Sequence, residues 1–581
     1  MKLLRFFLLS VLAFNTYLLE AQEGYFQLKD SESNESIPFA HLVFTPSGIH
    51  ATTNENGFFS ANLIQPSDSV WISAIGYGKQ KAELPKAPNS IILIPPTTVQ
   101  LPTAFIKPQE TDLLRQLKKA IHNHQEKEIG KTHLQLFSYR NGNRVEGFEG
   151  YYNYHIKGIN YESLDIKAGN IALKDDQGHF FLSTATSKVV SKYNAQSKKT
   201  PFPLTPIQLP NQKAVERFII WLGAESTWNG DAIYEIKWEP EPLYSASCMA
   251  GSAWINRRTK RLVKLEVKSV FTEKHPFVGI ADTKVKNKKI EAAFFIVKEW
   301  NTHTTFSNLD FNYQLRISHG TDTTIVSTTT HLSNYDAGNP FWPHNLVISK
   351  DAMYADYLAT FALGYNSDFW KHNGVENEHR KWISAHQNIQ RPILALQKDQ
   401  LFEGPYPHWS DTIRFFIKPQ QEKPLKHTSQ AKTDIQKFGL SPFIFVDPFV
   451  SSDTTYIRTV CILDPYKSTY TLPEDSLTHC ITNMYFDLCE IQRRKLEKEL
   501  HQNPIASQED LQKRVQLHQK EMEQQQYNFL SESNLGKDTK SFEKWNQTIK
   551  GKLGIDNMQL FNIPKSTDGF MRTKHNFKEK N

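Results

Sequence analysis

Side chains able to do chemistry are scattered along this chain and do not gather into recognised motifs. His518 and Glu521 stand three apart in His518-Gln519-Lys520-Glu521, a spacing that places an imidazole and a carboxylate on one side of a helix. Catalytic zinc needs three protein ligands and an open position. No His-Glu-x-x-His run supplies them, so this pair reads as a solvated helix face. His122 and His124 are two apart at a helix end and diverge, which argues against a shared metal. His479 adjoins Cys480, but helix neighbours do not face each other, and Cys480 beside an apolar stripe reads as core. No Gly-x-Ser-x-Gly elbow occurs, and Gly251-Ser252 lies in a strand pattern. No Gly-rich phosphate loop is present. No catalytic residue, metal ligand or cofactor is therefore expected.

Aromatic clusters are the remaining ligand candidates: Phe341-Trp342-Pro343-His344, Phe369-Trp370-Lys371-His372 and Tyr406-Pro407-His408-Trp409. Their faces could stack on sugars or pack against a peptide, with Trp342, Trp370 and Trp409 as the contact residues; core packing and loop anchoring are the alternative. The basic run Arg257-Arg258, extended by Lys260 and Arg261, reads as an anion site or a solvated hairpin tip.

The elements that must position these residues are mainly strands, with helices added. Residues 1–21 have the order of a cleaved export signal: Lys2 and Arg5, an apolar run from Phe6, then Ala21 before Gln22. The mature chain is expected to begin at Gln22; an uncleaved anchor is the alternative. From 22 to 107, short apolar runs separated by Pro, Gly and Asn turns predict a β-sandwich, with Asn56-Gly57 as a hairpin turn. A linker helix falls in 108–130, with Leu113, Leu117, Ala120 and Ile121 on one face. A β-rich domain spans 131–335, a mixed α/β region 336–470 and a helical region 471–530. Thr471-Leu472-Pro473-Glu474 reads as the capping box of a long helix, whose buried stripe is Leu477, Ile481, Met484, Leu488 and Ile491. Residues 531–581 read as a loosely ordered tail.

Ile37-Pro38-Phe39-Ala40, Thr52-Thr53-Asn54-Glu55-Asn56-Gly57-Phe58-Phe59 and Ser73-Ala74-Ile75-Gly76-Tyr77 carry a family resemblance. In that order they resemble the carboxypeptidase-D regulatory-like domain, departing from it at Phe26 and Leu28. The resemblance implies a transthyretin-like, non-catalytic sandwich in an exported envelope protein of a Gram-negative bacterium. The strand, basic turn, strand run around 251–267 is similar to the middle region of larger envelope proteins with the same sandwich. That implies a curved antiparallel sheet similar to lipoprotein-carrier half-barrels. Gly364-Tyr365-Asn366-Ser367-Asp368-Phe369-Trp370 resembles the same proteins.

The length of 581 residues allows three or four domains, and 37 Phe, 22 Tyr and 11 Trp supply packed cores. A net charge of +7 is too dilute to argue for an anionic partner, and no nucleic-acid module is present. No run after the signal reaches membrane-spanning length. Four cysteines leave open a bridge among Cys461, Cys480 and Cys489 or buried free thiols. The function expected is that of a non-enzymatic envelope protein, in the periplasm or at the cell surface. Its β modules would serve protein interaction or scaffolding, with envelope proteins as partners. The alternatives are a glycan- or peptide-binding protein and a hydrolase whose site is assembled from scattered residues.

Overall fold

The computed structural model describes residues 25–37, 40–45, 50–53, 56–60, 69–74, 77–85, 90–96, 110–140, 142–174, 186–277, 289–300, 306–320, 322–346, 355–373, 378–386, 406–412, 414, 438–451, 454–464, 467–470 and 475–565. The signal segment and its cleavage site at Ala21 and Gln22 lie outside the described residues. The protein is mainly β with α additions, and its chain divides into two compact units. One comprises residues 1–166, 170–340 and 373–389; the other comprises 167–169, 341–372 and 390–581.

The first unit begins with a β-sandwich. Strands β1 (Tyr25–Asp30), β4 (Phe58–Ser60) and β7 (Ile91–Ile94) form one sheet. Strands β2 (His41–Thr45), β3 (His50–Thr52), β5 (Ser69–Ala74) and β6 (Tyr77–Glu83) form the other, in the order β3-β2-β5-β6. Alternating residues face inward, as the two-residue period of a strand requires: Ile92 and Ile94 are buried while Ile91 and Leu93 are exposed. The Tyr77 hydroxyl reaches from β6 to donate to Asp30 Oδ2 on β1 at 2.6 Å, tying the two sheets together. Phe26 and Leu28, where the sequence departs from the family pattern, are core residues.

Asn56-Gly57 is not the hairpin turn expected of it. β3 pairs with β2, whereas β4 pairs with β1, so this turn carries the chain from one sheet to the other. Gly57 is needed for a different reason. Its φ is +74°, and a Cβ there would stand 2.6 Å from the Leu28 carbonyl oxygen.

A ten-stranded sheet dominates the first unit, in the order β10-β9-β8-β17-β16-β15-β14-β13-β12-β11. Its members are β8 (Lys127–Arg140), β9 (Asn143–Lys157), β10 (Asn160–Leu173), β11 (Phe218–Trp228) and β12 (Asp231–Pro240). They continue with β13 (Ala250–Asn256), β14 (Leu262–Lys268), β15 (Lys289–Trp300), β16 (Phe306–His319) and β17 (Asp322–Tyr335). One face is apolar, through Leu134, Leu136, Tyr152, Leu332, Leu309, Phe311, Ile296, Leu265 and Ile236. Helix α1 (Glu110–His122) closes that core with Leu113, Leu117, Ala120 and Ile121, as its spacing predicts, and with Leu114 as well. Helices α2 (Thr186–Lys192) and α3 (Asn211–Arg217) add Val189, Val190 and Ala214. The fully buried Trp238 lies over Gly251, where a Cβ would meet its ring at 2.6 Å. That close approach gives the glycine of Gly251-Ser252 its structural reason.

In the second unit, helices α4 (Ala355–Leu363) and α5 (Ser367–Asn373, of which Asn373 falls in the first unit) precede two strand pairs. β18 (Phe438–Gly439) pairs β21 (Thr469–Tyr470), and β19 (Pro442–Ser451) pairs β20 (Thr454–Leu463) as a two-stranded sheet. Helix α7 (Ser476–Gln502) packs Ile481, Met484, Leu488 and Ile491 into the core, while Leu477 is half-buried. Its N-cap is Asp475, whose side chain accepts from Thr478 N–H; Thr471-Leu472-Pro473-Glu474 lie outside the described residues. Helix α8 (Gln508–Glu532) follows after Pro504.

The tail is not loose up to residue 560. Helix α9 (Thr539–Leu553) and helix α10 (Asn557–Leu560) bury Phe542, Ile549 and Met558 in the same core, and Phe561, the C-cap of α10, joins them. Asn557 explains why a polar sequence orders here: it donates to the buried Asp487 Oδ2 at 2.6 Å and accepts from Arg414 at 2.7 Å. A buried carboxylate needs such partners, and they come from a segment 70 residues away.

Candidate functional site

Two polar arrangements stand out, one in each unit. The first lies on the ten-stranded sheet, on the face opposite the apolar core. Because side chains alternate across a strand, the residues between the core positions line up across neighbouring strands. His133 on β8 lies beside Glu149 on β9 at 2.8 Å, and its ring stacks on Tyr151 at 4.5 Å. Helix α6 (Glu378–His386) adds Arg380, which grips Glu149 with two hydrogen bonds of 2.9 and 2.7 Å. Burial pushes the Glu149 carboxyl up, but His133 and Arg380 overcome it and bring its pKa down to about 2. The neighbouring His379 bonds to the Phe148 carbonyl oxygen and to Arg144, and burial lowers its pKa to about 3.

Farther along the same face, His331 on β17 bonds to Asp310 on β16 at 2.6 Å and to Ser333 at 2.9 Å. Burial opposes the His331 cation, and the Asp310 carboxylate more than offsets it, so its pKa is raised. Glu299 on β15 is pushed up to about 7 by burial, against the pull of Lys264 on β14 at 3.8 Å. No short motif announces this ladder, since its members come from separate strands. Among the described residues, no three His, Cys, Asp or Glu side chains stand close enough to hold a metal ion.

The second arrangement is a cleft of about 840 Å³ within the second unit. One wall is strand β19, which among the described residues pairs β20 and has no strand along its other edge. An edge strand presents unpaired N–H and C=O groups, and here side chains occupy them. Asn345 Nδ2 donates to the Ile444 carbonyl oxygen at 2.8 Å, and its Oδ1 accepts from Val446 N–H at 2.8 Å. The Asn345 backbone N–H donates to the Val446 carbonyl oxygen at 3.3 Å, and Gln519 Oε1 accepts from Ile444 N–H at 3.3 Å. One asparagine thus makes the bonds a neighbouring strand would make. Pro442 and Pro448, two residues beyond on either side, have no N–H to offer. Lys167 Nζ covers the Pro448 carbonyl oxygen at 2.6 Å and forms a buried ion pair with Asp447.

The opposite wall is helix α8. Gln512, Gln516, Gln519, Glu523 and Gln526 recur at steps of four and three residues, which sets them on one face along the cleft. Lys467 and Lys520 are balanced by Asp464 and Glu523.

The residues singled out from the sequence fall elsewhere. Trp342, Trp370 and Trp409 are not among those lining the cleft. Trp370 is buried and lies parallel to Tyr365 at 6.2 Å; Trp409 packs on the core and donates Nε1–H to Asp487 at 2.8 Å. Trp342 contributes its carbonyl oxygen to Lys167. Their bordering residues Pro343 and His344 do line the cleft. His518 is not on a solvated face: it is buried, bonding Gln492 at 2.8 Å and Glu499 at 2.8 Å between α7 and α8. His124 is a core residue that accepts the Leu262 N–H at 3.0 Å and rests against Trp300. Arg257 and Arg258 pair with Glu225 and Asp231.

No known family's model matches this chain, and no curated protein matches it. Several solved structures match part of the chain, two of which follow. MucB in complex with MucA(peri) is 9% identical, covering 39% of this chain and 94% of that one, with a TM-score of 0.13. A DUF1329 family protein from Desulfovibrio piger is 10% identical over 39% of this chain and 91% of that one, with a TM-score of 0.12. At that similarity neither bears on what this chain does. Among the described residues no helix is long and apolar enough to cross a membrane.

Proposed function

We propose that this chain is an exported, non-catalytic interaction protein whose second unit holds an extended polypeptide segment in the cleft between β19 and α8. The observation that carries this reading is the occupation of the β19 edge by Asn345. A side-chain amide has the donor and acceptor of a peptide group, so a real strand can take its place bond for bond. The Gln row opposite offers both donors and acceptors and therefore suits a backbone whatever its sequence. Balanced charge favours a neutral polar segment over a strongly acidic or basic one. Export rests on the signal-like residues 1–21. The N-terminal sandwich, on this reading, is a carboxypeptidase-D regulatory-like module in a supporting role; Gly57, Phe59 and Tyr77 of the resemblance each have a structural task in it.

The test is selection from a random nonapeptide library, followed by N-methylation of the selected peptide at alternate residues. Methyl groups on the side facing β19 remove two hydrogen bonds of about 1 kcal/mol each, so affinity should fall roughly thirtyfold. Methyl groups on the other side should change it little. Equal effects in both registers would exclude strand addition.

A further inference from the structure

The Cys461 Sγ on β20 and the Cys489 Sγ on α7 are 3.1 Å apart, and both side chains are fully enclosed. Two sulfur atoms held this close need move only about 1 Å to reach the bonding distance of about 2.05 Å. The other cysteines are placed differently. Cys480 Sγ lies against Met484 Sδ at 3.8 Å, and Cys248 lies by Ser247 in the first unit. The sequence left a bridge among Cys461, Cys480 and Cys489 open, and the geometry separates one pair from the third. We infer that Cys461 and Cys489 form a disulfide in the exported protein, stapling the β19–β20 hairpin to helix α7.

The step is thiol–disulfide exchange with a dithiol-disulfide donor, whether a protein oxidase or a small disulfide. Two Cys–SH and one R–S–S–R give the Cys461–Cys489 bond and two R–SH, so the two electrons and two protons pass to the donor. Exchange requires a thiolate, and enclosure pushes the Cys461 thiol far above its ordinary value. The bond therefore forms during folding, before the hairpin closes on α7. The bridge spans a loop that the unfolded chain could otherwise sample freely, and it stabilises chiefly by removing that freedom.

The experiment is intact mass and thiol alkylation of full-length protein secreted from an oxidising compartment and denatured without reductant. The expected result is a mass two hydrogens short of the fully reduced chain, with Cys248 and Cys480 alkylated and a peptide linking Cys461 to Cys489. Cys480→Ser should keep the link. Cys461→Ser and Cys489→Ser should each abolish it and lower the melting temperature by roughly 10 °C. Four alkylated cysteines in the denatured wild type, or a link involving Cys480, would overturn the inference. If Cys489→Ser fails to fold, the wild-type alkylation count decides by itself.

Discussion

The two polar arrangements are built from opposite materials. On the ten-stranded sheet the carboxylates are buried and their partners half-buried: Glu149 is held by His133 and Arg380, and Asp310 by His331. At the β19 edge Ile444 and Val446 are met by neutral amides, with Asn345 itself exposed, and the buried charges there are confined to the neighbouring Lys167–Asp447 pair. Breaking a buried ion pair strands a charge at a cost of about 3–5 kcal/mol, whereas exchanging one neutral amide for another costs little. A locked network stabilises a fold; an edge closed by a replaceable side chain can open to a ligand. On the proposed reading, this contrast favours the β19 edge over the charged network as the place where a segment would dock.

Three changes test the contrast, beginning with the largest effect. Arg380→Ala should destabilise the first unit by about 3 kcal/mol at neutral pH, read by urea unfolding, because it leaves the Glu149 charge buried. Glu149 has a folded pKa of about 2 against an ordinary 4.5. Its contribution is therefore present above about 4.5 and lost as pH falls through about 2, and Arg380→Ala should flatten that acid limb. No difference between the variant and wild type across this window would show that the grip on Glu149 is not structural.

Glu299 has the opposite sign. Its pKa is raised from 4.5 to about 7, so its contribution is complete below 4.5 and lost as pH rises through about 7. Glu299→Gln should remove that loss and leave the variant about 1–2 kcal/mol more stable than wild type, relative to their difference at pH 4, when both are unfolded at pH 8. A wild type whose stability does not decline between those limits would contradict the raised value.

Asn345→Ala should cost least, about 1 kcal/mol by the same measurement, because it removes two neutral hydrogen bonds to Ile444 and Val446 and strands no charge. It should also strengthen binding of a selected peptide several-fold in fluorescence anisotropy, since the edge no longer has to be vacated. Weaker binding would mean that Asn345 contacts the ligand and does not stand in for it.

Much of the fold could be read along the chain, but the site could not. The face of α1 followed from Leu113, Leu117, Ala120 and Ile121, and the stripe on α7 from Ile481 to Ile491, because helical spacing is local. The Gln row on α8 was visible only as polarity, and polarity misplaced His518, which Gln492 and Glu499 on another helix draw inward. Residues 539–560 looked loose for the same reason, since their anchor on Asp487 lies far back in the chain.

Periodicity, written within a few residues, determined by itself the inward faces of α1 and α7 and the β character of the N-terminal and middle regions. Tertiary structure alone decided which sheet each strand of the Asn56-Gly57 turn joined, that β19 was left at an edge, and that Asn345 came to close it. Those outcomes depend on hydrogen bonds between residues about a hundred positions apart, and no local pattern encodes where a distant donor will come to rest.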